Sequence, residues 1–146
     1  MLFRSVVVSL KHKKLAVFEA GQVKKVYRVA VGKPSTPSPA GEFTIVSKVL
    51  NPTYYRPGTV IEPGPENPVG TRWIGISQKS FAIHGTNEPD SIGKAASHGC
   101  IRMDKKDVEE LFETVEVGDA VEITDGENGD APQIFEQAAA SDASGR

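Results

Sequence analysis

A mainly β fold in one domain is what this chain predicts, on three observations. Runs rich in Val and other β-branched residues recur along most of its length, separated by Lys- and Gly-containing turns. Eight of the 10 prolines lie in two stretches, 32–41 and 51–70, which breaks any long helix there. Only one segment carries a helical apolar period. With 146 residues and 38% hydrophobic content the chain can bury one ordinary core, at the usual scale of roughly 100 to 200 residues per domain.

Taken in order, Val6 to Leu10, Leu15 to Glu19 and Val23 to Val31 read as strands joined by Lys11-His12-Lys13 and Ala20-Gly21-Gln22, a meander of hairpins. The segment Gly32 to Gly41 sets three prolines between two glycines and predicts an ordered, extended loop. A strand follows at Glu42 to Val49. Residues Asn51 to Gly70 hold five prolines and three glycines with no regular period, as expected of a segment that borders a binding site or is mobile. Thr71 to Ser77 and Phe81 to His84 resume the strand pattern, leaving His84 at a strand end. Val108, Leu111, Phe112 and Val115 then fall at i, i+3, i+4 and i+7 behind Asp104, which predicts one helix with Asp104 as its N-cap. After Val117-Gly118-Asp119, Ala120 to Ile123 is a last strand. This reading places the folded domain at 1–125 and leaves 126–146, rich in Ala, Ser, Gly, Asp and Glu, as a tail expected to be disordered.

Composition excludes some partners. Seventeen basic and 19 acidic residues give a formal net charge of −2, with no general attraction to nucleic acid or an anionic membrane surface. No stretch approaches the roughly 20 apolar residues of a membrane span. The opening Met1 to Leu10 lacks a small-residue cleavage site and reads as a strand, not as an export signal. The one cysteine, Cys100, cannot form an intramolecular disulfide and is free to react.

Cys100 sits in Ser97-His98-Gly99-Cys100-Ile101-Arg102, with His84-Gly85-Thr86 upstream, so the only thiol lies near two of the three histidines. A thiol attacks a carbonyl carbon when a neighbouring base removes its proton. Gly99 lets the backbone turn sharply and expose amide N–H groups beside the thiol, as an oxyanion hole requires. Arg102 adds a fixed positive charge able to lower the thiol pKa or to hold a substrate carboxylate. It can equally be one half of an ordinary ion pair. Trp73 and Tyr54-Tyr55 read as packing groups before sugar-stacking platforms, and His12, in a lysine-rich turn, as solvated.

Together, His84-Gly85-Thr86-Asn87 and Ser97-His98-Gly99-Cys100-Ile101-Arg102-Met103 resemble the active-site signature of the L,D-transpeptidase catalytic domain, also called the YkuD domain. Gly32, Thr36-Pro37, Pro39 and Gly41-Glu42-Phe43 resemble that family's glycine and proline loop, and Asn67-Pro68-Val69-Gly70 its second short motif. The similarity runs from about Ser5 to Asp125, a whole domain in length. It implies a β-sandwich with one or two short helices and a cofactor-free, metal-free cysteine acyltransferase of the bacterial periplasm or cell envelope. On this resemblance Cys100 is the nucleophile, His84 its base, the Gly85 carbonyl orients the imidazole, and Gly99 and Cys100 supply oxyanion amides. Arg102, His98, Ser97 and Thr86 match positions that bind substrate or shape the pocket. The implied substrate is the tetrapeptide stem of peptidoglycan, converted through a thioester into a 3→3 crosslink with release of D-alanine. A wall-anchored protein is a further possible acceptor, carbapenem-type β-lactams are implied inhibitors, and residues 51–70 fall where the family carries a variable substrate lid.

Three other readings stay open on sequence. The same thioester can go to water, as in an L,D-carboxypeptidase or amidase. His84, His98 and Cys100 can be zinc ligands of a hydrolase, although His98-Gly99-Cys100 is tight for that. A wall-binding module without catalysis would bind muropeptide whether or not the thiol is present.

Overall fold

The computed structural model describes residues 3–125. Strands β1 (Arg4–Ser9), β2 (Lys14–Glu19) and β3 (Gln22–Gly32) form an antiparallel meander, as the hairpin pattern predicts. Alternation places the side chains: Val6 and Val8 are fully buried on one face, while Val7 joins Phe18, Ala16 and Val26 in a small second cluster. Strand β4 (Gly41–Leu50) leads through the Asn51–Gly70 segment to β7 (Arg72–Ile76) and β8 (Ala82–His84), all antiparallel. Within that segment Tyr54–Arg56 (β5) and Thr59–Ile61 (β6) pair as a small hairpin about Pro57-Gly58. Two more short strands flank the thiol, β9 (Ala95–Ser97) and β10 (Ile101–Met103), before the helix α1 (Lys105–Thr114) and the last strand β11 (Ala120–Thr124).

The fold is mainly β, with α1 the one α-helix among the described residues beside a single 3₁₀ turn at Pro89–Ser91. Strand order is β10-β8-β7-β4-β11-β1-β2-β3-β9, and β3 also pairs with β10, so the ladder bends back on itself around the core. Parallel pairing of β1 with β11 sets Val6 against Val121 and Val8 against Ile123. Inside lie Leu15, Val29, Ile45, Ile74, Ile83 and Met103, each no more than 1% exposed. Each such aliphatic side chain contributes about 1.5–3 kcal/mol on burial.

Helix α1 turns Val108, Leu111 and Val115 into this core, all fully buried, on the period read from sequence. Asp104 occupies the N-cap, but its side chain makes no capping hydrogen bond; its carbonyl instead accepts from Val108 N–H at 2.9 Å. At the other end Lys48 Nζ donates to Val115 O at 2.7 Å and lies 4.5 Å from the Phe112 ring centroid, so a cation closes the negative end of the helix. The expected tail, 126–146, lies outside the described residues.

Candidate active site

Three neighbouring strands assemble the site. In register, His84 on β8 opposes Trp73 on β7 and Arg102 on β10, and directly opposed residues project their side chains from the same face of a sheet. The Trp73 and His84 rings stack with centroids 5.7 Å apart and planes 2° from parallel. The Trp73 ring packs on the imidazole and lines the same cleft as it does. The turn Ser97 to Cys100 connects β9 to β10 and delivers the thiol beside them.

That turn is locked by small residues. Ser97 Oγ accepts from the Gly99 N–H at 3.1 Å and donates to the Cys100 carbonyl at 2.5 Å. The Ser97 carbonyl accepts from Thr36 Oγ1 at 2.9 Å and Lys33 N–H at 3.0 Å. Ser38 Oγ donates to the Gly99 carbonyl at 2.6 Å and accepts from Gly32 N–H at 2.9 Å. The proline loop therefore serves as the buttress of the turn that carries Cys100. Gly99 itself has φ +123°, and a Cβ there would stand 2.5 Å from Phe81 Cε1, so a side chain is excluded by backbone and by contact.

Hydrogen bonding decides the histidine's tautomer. His84 is 6% exposed, and its Nδ1 lies 2.5 Å from the Gly85 carbonyl. A carbonyl only accepts, so Nδ1 carries the hydrogen and Nε2 is left as the basic nitrogen. Gly85 is placed for this by close approach to Gly70 (φ +69°), where a Cβ would stand 2.8 Å from Gly85 Cα. Burial lowers the His84 pKa to about 4; the Gly85 hydrogen bond opposes the shift and the Arg102 charge adds to it. Burial likewise pushes the Cys100 thiol up, against an Ala82 backbone hydrogen bond and the attraction of Arg102. Arg102 does favour the thiolate, as its position suggested, but desolvation outweighs it. The resting pair at neutral pH is a thiol and a neutral imidazole.

His84, Ser97, His98, Cys100 and Arg102 line one cleft of about 370 Å³, the lower range for small-molecule sites. Thr86 is not among them: with Gly85, Gly70 and Lys105 it lines an adjacent cavity, and its hydroxyl accepts from Glu88 N–H at 2.9 Å. The Ser97 hydroxyl is spent on the turn, and so is the Gly99 amide. Of the two amides assigned to the oxyanion, only that of Cys100 has no hydrogen-bond partner among the described residues. Arg102 Nη1 is buried without a hydrogen bond, its nearest carboxylate oxygen being Glu88 Oε1 at 3.7 Å.

Sequence reasoning missed four contributors. Ser80 lends its carbonyl to Cys100 Sγ at 3.8 Å from a turn without a motif. Ser38 is one of several serines in its loop, and only contact with Gly99 distinguishes it. Tyr54 and Tyr55, read as packing groups, line the cleft from the β5–β6 hairpin, with Tyr55 72% exposed. Among the described residues no three His, Cys, Asp or Glu side chains converge to hold a metal ion, which removes the support for a His84–His98–Cys100 zinc site. No described helix is long and apolar enough to cross a membrane.

Comparison with known proteins identifies the family. A family model of the YkuD L,D-transpeptidase catalytic domain matches residues 4–123. YqjB of Bacillus subtilis, a protein named among the L,D-transpeptidases, is 44% identical over 125 residues, covering 82% of this chain and 70% of its own. YkuD of Bacillus subtilis is 42% identical over 118 residues, 81% of this chain and 64% of that protein. Among solved structures, the catalytic domain of the Enterococcus faecium L,D-transpeptidase superposes with a TM-score of 0.67 at 28% identity, covering 84% of this chain and 98% of that one. A Mycobacterium tuberculosis L,D-transpeptidase gives 0.72 at 21% identity, over 84% of this chain and 58% of that one, a likeness of fold. By the span of the family match and the identity to these relatives, this chain belongs to the YkuD family of L,D-transpeptidase catalytic domains.

Proposed function

We propose that the protein is a cysteine L,D-transpeptidase acting on peptidoglycan tetrapeptide stems, and hence works in the periplasm or cell envelope, where such stems are found. One observation carries the reading: the only thiol shares a cleft with a buried histidine whose tautomer leaves Nε2 basic. In the first half-reaction the Cys100 proton passes to His84 Nε2 as Sγ bonds to the carbonyl carbon that precedes the terminal D-alanine. The carbonyl oxygen becomes an oxyanion and meets the unengaged Cys100 N–H. Collapse breaks the C–N bond, the imidazolium returns its proton to the departing D-alanine amine, and a thioester remains.

In the second half-reaction an acceptor side-chain amine attacks the thioester and gives its proton to His84. The C–S bond breaks, the thiol is restored, and the new amide is a 3→3 crosslink. Arg102 Nη1, buried and lacking a hydrogen bond, is the group for a substrate carboxylate; that of the terminal D-alanine is joined to the scissile carbonyl through only a nitrogen and a Cα. An enzyme 30% identical to this chain was solved as its avibactam carbamoyl form, which supports an acyl-transfer reading of the site.

Incubation with a purified disaccharide tetrapeptide, read by product analysis and intact mass beside Cys100→Ala, tests the proposal. Wild type should lose D-alanine and yield a 3→3 dimer, with a thioester-mass adduct confined to protein bearing Cys100. Tripeptide without dimer would make the enzyme a hydrolase. Turnover by Cys100→Ala near wild type would remove the mechanism.

A further inference from the structure

The Arg102 guanidinium is two-sided. Its Nη1 is buried and makes no hydrogen bond, yet Glu88 Oε1 stands 3.7 Å away, beyond hydrogen-bond range but well within electrostatic reach. The two side chains differ in freedom: Arg102 is 14% exposed, Glu88 67%. Glu88 is nevertheless fixed at its backbone. Its N–H donates to Thr86 Oγ1 at 2.9 Å, and its carbonyl accepts from Ser91 N–H at 2.9 Å and Ser91 Oγ at 2.7 Å, the last hydroxyl belonging to a residue 7% exposed. A clamped backbone with an exposed side chain keeps one carboxylate, lining the neighbouring cavity of Asn87 to Ser91, beside Arg102, the one cationic side chain that lines the thiol's cleft.

We propose that Glu88 is a resident counter-carboxylate that competes with the substrate carboxylate for Arg102 and so sets the enzyme's preference for anionic over neutral stem termini. The empty site is then not a bare buried cation, which would be costly, and a stem carboxylate must displace Glu88 or share the guanidinium with it. Arg102 has donors enough for a bidentate carboxylate, but a second negative charge beside Glu88 is repelled. A stem ending in a carboxamide meets neither the full attraction nor the repulsion. Thr86 gains a part in this arrangement: it positions Glu88 through the backbone and stays out of the thiol's cleft.

This inference rests on the reading of Arg102 as the carboxylate group of the substrate site, and the test separates the two. Initial rates are measured for wild type and Glu88→Gln on disaccharide tetrapeptide ending in D-alanine and on the same stem ending in D-alaninamide. Glu88→Gln should lower KM for the carboxylate stem by up to about five-fold, the upper end of an exposed charge interaction, leave kcat within two-fold, and leave KM for the carboxamide stem unchanged. The gain should shrink between 50 mM and 500 mM salt as screening grows. An equal KM change on both stems, or none on either, overturns the role of Glu88. If wild type itself does not distinguish the two stems, the reading of Arg102 fails first and the competition with it.

Discussion

The two proline-rich loops have similar compositions but different places and anchors: Asn51–Gly70 lines the cleft, while Gly32–Gly41 braces the turn that carries Cys100. Gly32–Gly41 is stitched into the Cys100 turn at several independent points: Thr36 and Lys33 on the Ser97 carbonyl, Ser38 on both Gly32 and Gly99. Asn51–Gly70 depends chiefly on one residue. Asn67, 1% exposed, donates its amide hydrogens to the carbonyls of Pro52, Ile61 and Glu62 at 2.9, 3.2 and 3.3 Å, and its Oδ1 accepts from Val69 N–H at 2.9 Å. The β5–β6 hairpin it secures leaves Tyr55 and Val60 72% and 63% exposed. Bond-making geometry tolerates little displacement, whereas a substrate wall gains from being able to move. The redundant anchoring thus lies on the side that holds Cys100.

The largest effect belongs to the stitched side. Gly99→Ala puts a methyl group 2.5 Å from Phe81 Cε1 and forces a non-glycine residue to φ +123°. Strain and overpacking together should cost about 2–5 kcal/mol, and relief by moving the turn would carry Cys100 away from His84. The expected outcome is a drop of at least about 100-fold in kcat/KM with a lowered melting temperature. Retained activity in a stable variant would show that the turn has slack, and the contrast between the loops would collapse.

Next in size is the acid response of His84. Its folded-state pKa of about 4 lies below the ordinary 6.5, so between those values the unfolded chain binds a proton the native state does not. Stability therefore rises with pH across that window: the full contribution is present above about 6.5 and is lost as pH falls to 4. The gap is worth about 3 kcal/mol. Thermal melts from pH 7 to 4 should show His84→Gln losing stability less steeply than wild type. The acid limb of kcat/KM should fall near 4, because the neutral base persists to that pH; a limb near 6.5 would mean that His84 is wetted and its surroundings loose.

What the sequence made legible follows from the length of each signal. The β1–β3 meander and α1 carry periods long enough to read, and His84, Cys100 and Arg102 stand in motifs whose chemistry names them. Strands β5, β6, β9 and β10 have three residues each, too few to show alternation, and exist because neighbours supply their hydrogen bonds. The parallel pairing of β1 with β11 joins the two ends of the domain and has no local trace. Nor does the sequence reveal that the Gly99 amide and the Ser97 hydroxyl satisfy one another; both are small groups in a turn whose partners are fixed only once Ser38 and Thr36 arrive from another loop.

The smallest expected effect probes the other loop. Asn67→Ala strips the Pro52, Ile61 and Glu62 carbonyls of their shared donor and the Val69 N–H of its acceptor. Losing buried hydrogen bonds costs about 1–3 kcal/mol, less where water reaches the freed groups, and half of the hairpin already faces solvent. Because Tyr54 and Tyr55 line the cleft while the thiol and imidazole are held elsewhere, the change should raise KM for the tetrapeptide stem several-fold and leave kcat within about three-fold. Adding Ser38→Ala sharpens the contrast, since it removes one stitch of the opposite loop and should act on kcat. If Asn67→Ala instead lowers kcat as its main effect, the hairpin reaches the thiol and imidazole through Gly70 and its contact with Gly85, and the two loops act as one rigid unit.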